Sequence, residues 1–195
     1  MRSTEEVYHV MEYADGSKEA LGCTIHEIRH PAEVWEVSDD KRALEMGRFL
    51  EEQLEANYPG GLKNSYLTGL VQVYQQNKNA APEDKTHFIF YLQEEDFKIA
   101  AVIKHFYLRA AELEFFFSSY CVDKIEDFIN HISEYVMEKR SDCSSIISVV
   151  CENDTDKEKV LMNIDFNWCG ILHKAFPNEM DARLYEFIPL NRRDA

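Results

Sequence analysis

The sequence predicts an α/β protein of the α+β type, in which a mostly antiparallel sheet is flanked by helices. Three β-rich runs, HFIFYL, KIAAVIKHFY and AAELEFFFS, follow one another and are separated by short charged turns. Directly after them, the stretch that begins at Val122 carries apolar residues at helical spacing. Two more strand-like runs surround the turn Pro177-Asn178-Glu179. These patterns predict a meander, a long helix packed on it and a closing hairpin.

The amino-terminal part is predicted to begin with two antiparallel strands, VYHVMEY and LGCTIHEIRH, around the turn-like Asp15-Gly16-Ser17. Ser38, Asp39 and Asp40 then indicate a helix cap with an acidic first turn. The helix that follows places four residues near one face: Leu44, Gly47, Leu50 and Leu54.

Pro59-Gly60-Gly61 is predicted to end that helix, and a second helix is expected from about Asn64 to Gln76. The polar segment NKNAAPEDK reads as a linker. Further on, SSIISVVC predicts a buried strand, and Glu152-Asn153-Asp154 opens a short helix. A strand–helix–strand crossover is therefore expected. The length of 195 residues suits a single domain, 1–195, with strands and helices in 1–80 and the core sheet in 81–195.

Charge and composition limit the classes of binding partner that the sequence favours. The chain has 36 acidic and 21 basic residues, a formal net charge of -15, which repels phosphate backbones and anionic lipids. Such a charge also favours cationic partners such as amines, but an ordinary solvated acidic surface explains the same charge and is the commoner case. We therefore expect neither nucleic acid nor a membrane as a partner. The amino terminus, MRSTEEVYHV, lacks a signal-peptide pattern, so a cytoplasmic location is expected. The five cysteines form no Cys-x-x-Cys pair, which disfavours disulfides and thiolate zinc sites.

From about His87 onward, the order of three strands, a long helix, a strand, a short helix and two strands resembles the GNAT acyl-CoA-dependent N-acetyltransferases. It looks most like the branch that includes the ribosomal-protein N-terminal acetyltransferases. The stretch RAAELEFFF resembles the fourth strand of that branch. Asn153, with Ile164-Asp165-Phe166 and Gly170, stands at the asparagine and Gly-Phe pattern, and FPNEMDARLYEFIPL resembles the closing strand pair. The resemblance implies a GNAT-like mixed, mostly antiparallel central sheet and acetyl-CoA, or another acyl-CoA, as cofactor.

One loop departs from the family signature. Where the family has a Gln/Arg-x-x-Gly-x-Gly/Ala loop before the long helix, this chain has a glycine-free run from Ser119 to Lys124. Backbone N–H groups at a helix start hold the pyrophosphate of coenzyme A, and glycine lets the backbone approach closely. Either the cofactor is held differently, with Lys124 helping, or the fold survives without acetyl transfer.

The resemblance implies a cofactor site made of ten residues: Phe116, Phe117, Ser118, Ser119, Tyr120, Cys121, Val122, Asp123, Lys124 and Asn153. Backbone amides near Phe116 to Ser118 would orient the thioester carbonyl. Asn153 would hydrogen-bond the pantetheine arm or a phosphate, although capping of the following helix explains it equally well.

Glu112 and Glu114 are the candidate general bases, which would take a proton from an ammonium substrate. Alternation along a strand places both on one face with Phe116, and two solvated charges are the alternative interpretation. Tyr185 and Tyr120 are the candidate general acids for the leaving thiolate, while simple packing is the alternative for each.

A rival motif, His26-Glu27-Ile28-Arg29-His30, matches H-E-x-x-H, which on a helix binds zinc. Pro31 and the strand-like alternation oppose a helix here, and in a strand the two histidines would lie about 13 Å apart. No metal is expected. The main hypothesis is therefore an N-acetyltransferase that acts on a primary amine of a small molecule, peptide or protein. A catalytically inactive binding protein of the same fold is the alternative, and a zinc hydrolase ranks third.

Overall fold

The computed structural model describes the backbone of residues 3–12, 18–28, 30–57, 63–107, 109–176 and 179–188. Side chains are described for 30–54, 69–104, 106, 109–176 and 179–188. The predicted turns Asp15-Gly16-Ser17 and Pro59-Gly60-Gly61 lie outside the described residues, as do Pro177 and Asn178 of the closing turn.

The first two strands form a separate antiparallel pair, as predicted. Strands β1 (Ser3–Glu12) and β2 (Lys18–Ile28) pair from Ser3 with Ile28 to Glu12 with Lys18, with an irregularity after His9. The segment containing His26 and Glu27 is therefore extended.

Three helices follow, and the first was not predicted. The short helix α1 (Pro31–Trp35) begins with proline, whose fixed φ suits a first helical turn, and the His30 Nδ1 atom accepts the backbone N–H of Ala32 at 3.2 Å. Helix α2 (Asp40–Asn57) is capped by Asp39, whose Oδ1 atom accepts the N–H of Arg42 at 2.9 Å. Helix α3 (Lys63–Asn77) matches the second predicted helix. A single 3₁₀ turn, Pro82–Asp84, interrupts the predicted linker.

The buried face of α2 differs from the predicted one. Met46, Phe49, Leu50 and Leu54 are buried, whereas Leu44 is 57% exposed. Leu44 and Gly47 of the predicted face instead line a groove between α2 and α3.

The remaining elements build a six-stranded sheet with the order β3-β4-β5-β6-β8-β7. The strands are β3 (His87–Gln93), β4 (Lys98–Tyr107), β5 (Ala110–Phe117), β6 (Ser145–Cys151), β7 (Asn167–Leu172) and β8 (Ala182–Phe187). Helix α4 (Val122–Lys139) connects β5 to β6, and helix α5 (Thr155–Asn163) connects β6 to β7.

The predicted pairings are confirmed. Strands β3, β4 and β5 form an antiparallel meander, β5 and β6 are parallel across the α4 crossover, and β7 pairs with β8 as a closing hairpin. The last strand, β8, lies between β6 and β7 and pairs with both. Consequently β7 is an edge strand.

Each face of the sheet carries its own apolar cluster, because side chains alternate along a strand. One cluster joins Phe88, Phe90, Leu113 and Phe115 to the buried stripe of α4 and to α5. The other joins Ile89, Tyr91, Val102 and Phe116 to α2 and α3. Within the described part of the chain, no helix combines the length and the apolar character that a membrane span requires.

Candidate active site

The parallel strands β5 and β6 separate part-way along their length. Their pairing runs from Ala110 with Ser145 to Leu113 with Ser148 and ends there. Beyond that point β5 continues to Phe117 beside β4, while β6 continues to Cys151 beside β8. The two strands are thus drawn apart by their other neighbours, and a wedge-shaped opening lies between them just ahead of α4.

Two backbone amides of β5 point into this opening. The Ser118 N–H donates to the Lys98 carbonyl on β4 at 2.9 Å. Because hydrogen-bonding directions alternate along an antiparallel strand, the amide of Phe116 also faces β4, whereas the amides of Phe115 and Phe117 face the opposite side. Within the described chain the β5–β6 ladder does not reach either of them. Of the predicted donors from Phe116 to Ser118, the Phe117 amide therefore has the suitable direction.

The two candidate carboxylates lie on the α2/α3 side of β5, as alternation predicted. Glu112 and Glu114 are half-buried, and the ammonium of Lys104 on β4 lies 3.9 Å from Glu112 Oε1 and 2.8 Å from Glu114 Oε2. Glu114 is the first residue beyond the last paired position, at the apex of the opening. These three groups form a compact cluster in which two carboxylates stand beside one ammonium.

Helix α4 begins without a side-chain cap. Cys121 occupies the cap position and its side chain accepts no hydrogen bond from the first turn, so the amides of that turn remain available for an anion. Asp123 lies in the same turn and opposes an anion by its charge. The Ser119 hydroxyl donates to the Asp96 carbonyl at 3.4 Å, which ties the preceding loop to the β3–β4 turn.

Lys124 does not add a free positive charge to this helix start. Its ammonium forms an ion pair with Glu94 and lies 5.6 Å from the centre of the Phe97 ring. The hydrogen bond that Lys124 donates to the Glu94 carboxylate raises the pKa of the lysine, so Lys124 stays charged and paired.

Asn153 lies past the end of β6, but it is not the cap of α5. Asp154 has that role, and its Oδ1 atom accepts the N–H of Lys157 at 3.2 Å. The Asn153 amide contacts the Met180 sulfur at 3.2 Å and is exposed. The alternative interpretation of Asn153 as a helix cap was wrong because the next residue takes the cap position.

The two candidate phenols differ in their surroundings. Tyr185 on β8 is 1% exposed, and its hydroxyl donates to Glu158 Oε1 at 2.6 Å. Burial, with Glu158 adding to it, raises the pKa of Tyr185 to about 12. Tyr120 is 44% exposed, and its ring centre lies 6.2 Å from that of Phe117 at the end of β5.

Lys157 is a charged residue at the opening that the sequence did not single out. Its ammonium lies 4.7 Å from the ring centre of Phe116 and 5.6 Å from that of Phe115. Nothing in the sequence indicated this contact, because Lys157 lies in the first turn of a predicted helix and its aromatic partners lie on a strand about forty positions earlier in the chain.

The H-E-x-x-H motif does not have the helical geometry that zinc binding requires. His26 and Glu27 lie in β2, and His30 caps α1 through Nδ1. Among the side chains that the structure describes, no three histidine, cysteine, aspartate or glutamate groups converge as metal ligands.

Comparison with known proteins gives a consistent assignment of fold. No protein-family profile matches the chain, and no curated protein sequence does. Among solved structures, the ribosomal-protein α-N-acetyltransferase RimL in complex with coenzyme A is similar with 10% identity, 82% of this chain and 97% of that chain covered, and a TM-score of 0.60.

Two further structures have similar scores. A chimera of the spermidine N-acetyltransferase SpeG from Vibrio cholerae and hSSAT has 12% identity, 79% and 95% coverage and a TM-score of 0.59. The microcin C7 self-immunity acetyltransferase MccE, in complex with acetyl-CoA and AMP, has 15% identity, 79% and 91% coverage and a TM-score of 0.56. The chain therefore has the fold of the GNAT N-acetyltransferases.

Proposed function

We propose that this protein is an acyl-CoA-dependent N-acetyltransferase that acts on a primary amine. The observation that carries the proposal is the opening beyond Leu113 and Ser148, where the amides of Phe115 and Phe117 have no strand partner on the β6 side. In the same fold, three solved neighbours are acetyltransferases by name, and two of them were solved with coenzyme A or acetyl-CoA.

The residues present fit such a cofactor. A thioester carbonyl needs hydrogen-bond donors aimed at one point, which the amides of Phe115 and Phe117 supply. A pyrophosphate needs a helix start with available amides; α4 offers them because Cys121 leaves it uncapped, but Asp123 in its first turn weakens this site. Bound acetyl-CoA would contribute an activated acyl group, whose transfer forms a C–N bond to the amine and releases the thiolate.

The acceptor amine is proposed to approach from the α2/α3 side of the sheet. There, Glu112 and Glu114 lie beside the apex of the opening, and one of them takes a proton from the acceptor ammonium, so that the neutral amine can attack the thioester. We favour Glu114, because it lies at the apex itself. Tyr120, which stands next to Phe117 and is solvent-accessible, is favoured over Tyr185 for returning a proton to the thiolate.

Thermal unfolding with acetyl-CoA tests the proposal. At a ligand concentration of 100 times Kd, binding stabilises the folded state by about 2.7 kcal/mol, a rise in Tm of about 5–10 °C for a chain of this size. ADP is the control, because it shares the diphosphate but lacks the pantetheine arm. Release of free thiol from acetyl-CoA in the presence of an amine such as spermidine, or of a peptide with a free amino terminus, then tests turnover. An unchanged Tm at millimolar acetyl-CoA would exclude the enzyme.

A catalytically inactive binding protein is the second candidate. The glycine-free start of α4, with Asp123 in its first turn and Lys124 paired to Glu94, favours it. Under this alternative neither acetyl-CoA nor coenzyme A alters Tm. In either case the free thiols of Cys121, Cys143, Cys151 and Cys169 suit the reducing cytoplasm, where we propose that the protein acts.

A further inference from the structure

The side chain of Lys157 spans the mouth of the β5–β6 opening. On one side its ammonium rests on the rings of Phe116 and Phe115, at 4.7 and 5.6 Å from their centres. On the other side it lies 3.2 Å from Asp154 Oδ2, just after β6. The lysine therefore connects β5 to the segment that follows β6, beyond the point where the backbone pairing of the two strands has ended.

Its surroundings leave this charge less satisfied than that of Lys124. Most of the side chain is covered, with 20% exposed, and two aromatic rings provide one flank of the ammonium. Ring faces attract a cation, but they cannot accept the strong hydrogen bonds that an ammonium makes with phosphate oxygens. Asp154 contributes a single carboxylate, which also caps α5.

The start of α4, by contrast, is a weak place for an anion. It lacks glycine, Asp123 lies in its first turn, and the Lys124 charge is neutralised by Glu94. An acyl donor that carries phosphate groups therefore needs another cation close to the opening, and Lys157 is in position to provide it.

We propose that Lys157 binds a phosphate group of the acyl donor and so replaces the missing glycine loop. This inference rests on the proposed function. The flexible stem of lysine lets the ammonium move from the rings to a phosphate oxygen by rotation of its own side chain. The same movement exposes the faces of Phe115 and Phe116, against which the apolar part of a pantetheine arm can lie.

Binding of two probes, measured by calorimetry on the full chain, tests this role. Coenzyme A carries the phosphates, whereas pantetheine has the same arm and none of them. We expect Lys157→Gln to weaken coenzyme A binding by about tenfold or more, which corresponds to the loss of one charge-assisted contact, and to leave pantetheine binding unchanged. Lys157→Arg keeps the charge and should stay within about threefold of the wild type.

Lys159→Gln is the matched control. It removes the same charge from the same helix, but Lys159 is 62% exposed and pairs with Asp156, so coenzyme A binding should not change. Equal weakening of coenzyme A and pantetheine by Lys157→Gln would overturn the proposal, because the lysine would then only shape the opening. Tighter binding of both probes would also overturn it, since the lysine would then block the opening. If the wild type binds neither probe, the proposed function itself fails. If the wild type binds coenzyme A and Lys157→Gln binds it equally well, only the proposed role of Lys157 is overturned.

Discussion

At the scale of single residues, the carboxylates on β5 decide whether the opening can do chemistry. Glu114→Gln keeps the shape of the side chain and removes its ability to accept a proton, so we expect kcat/KM for acetyl transfer to fall by about 100-fold while acetyl-CoA binding is kept. Glu95→Gln, in the exposed β3–β4 turn, is the control and should have wild-type kinetics. A Glu114→Gln enzyme with full activity would remove this residue from the mechanism and transfer the role to Glu112.

His30 provides a second prediction at this scale. Burial, followed by repulsion from His131, lowers the pKa of His30 below its usual value of 6.5, although Glu33, Glu134 and Glu138 oppose this shift. In the folded state the neutral Nδ1 atom caps α1, and the ring lies beside those of His131 and Tyr135. The folded state binds a proton at His30 less readily than the unfolded state does. The contribution of neutral His30 to the free energy of unfolding is therefore complete above pH 6.5 and is lost as the pH falls through the lowered pKa.

The measurement for His30 is the free energy of unfolding in denaturant between pH 7.5 and pH 5. His30→Asn keeps a side-chain acceptor at the cap but cannot titrate in this range, so its stability should fall less steeply with decreasing pH than that of the wild type. Parallel pH curves for the two proteins would show that His30 does not contribute to the pH dependence.

At the scale of elements, α2 contains a glycine that packing does not require. Gly47 lies in the interior of an 18-residue helix and lines the groove against α3, and a methyl group added there would meet no atom within 4 Å. Glycine costs about 0.5–1 kcal/mol relative to alanine inside a helix. We therefore expect Gly47→Ala to raise the free energy of unfolding by about that amount.

Gly69→Ala in α3 is the matched variant, because a methyl group there also meets no atom within 4 Å. The increases in the free energy of unfolding from the two substitutions should add in the double variant. Denaturant titration measures both. A loss of stability in Gly47→Ala would contradict the open space that the structure shows at the groove.

Elements with long, regular patterns were predictable from the sequence, and short ones were not. The stripe of α4 recurs over 18 residues, and the three runs before it are rich in β-forming residues and separated by short charged turns, so the helix and the strands were identified, and the strands with their pairing. Helix α1 has five residues, too few for a period to appear, and its cap is a histidine, which sequence rules do not favour. The cap of α5 was interpreted as Asn153, whereas the structure has Asp154 there; both residue types favour a cap, and only the backbone distinguishes the two positions.

At the scale of the whole molecule, the opening is a consequence of topology. Strand β5 follows β4 to its end, while β6 follows β8, a strand that comes last in the chain and lies between β6 and β7. The sequence indicated the closing hairpin but not which of its strands pairs with β6, since both runs have strand character. The residues of the candidate site on β5 were therefore predictable, whereas Lys157 and Lys104, which meet them from other elements, depend on the tertiary arrangement.

Amide hydrogen exchange can test the opening without reference to activity. Along β5 the amides of Phe116 and Ser118 bond to β4, and those of Phe115 and Phe117 face the opening, so protection should alternate from residue to residue. We expect Phe115 and Phe117 to exchange at least about tenfold faster than Leu113, which lies in the paired part of the same strand. Coenzyme A should slow exchange at Phe115 and Phe117 and leave Leu113 unaffected. Uniform protection along β5 in the free protein would show that β5 and β6 are paired to their ends, and the proposed thioester site would then not exist.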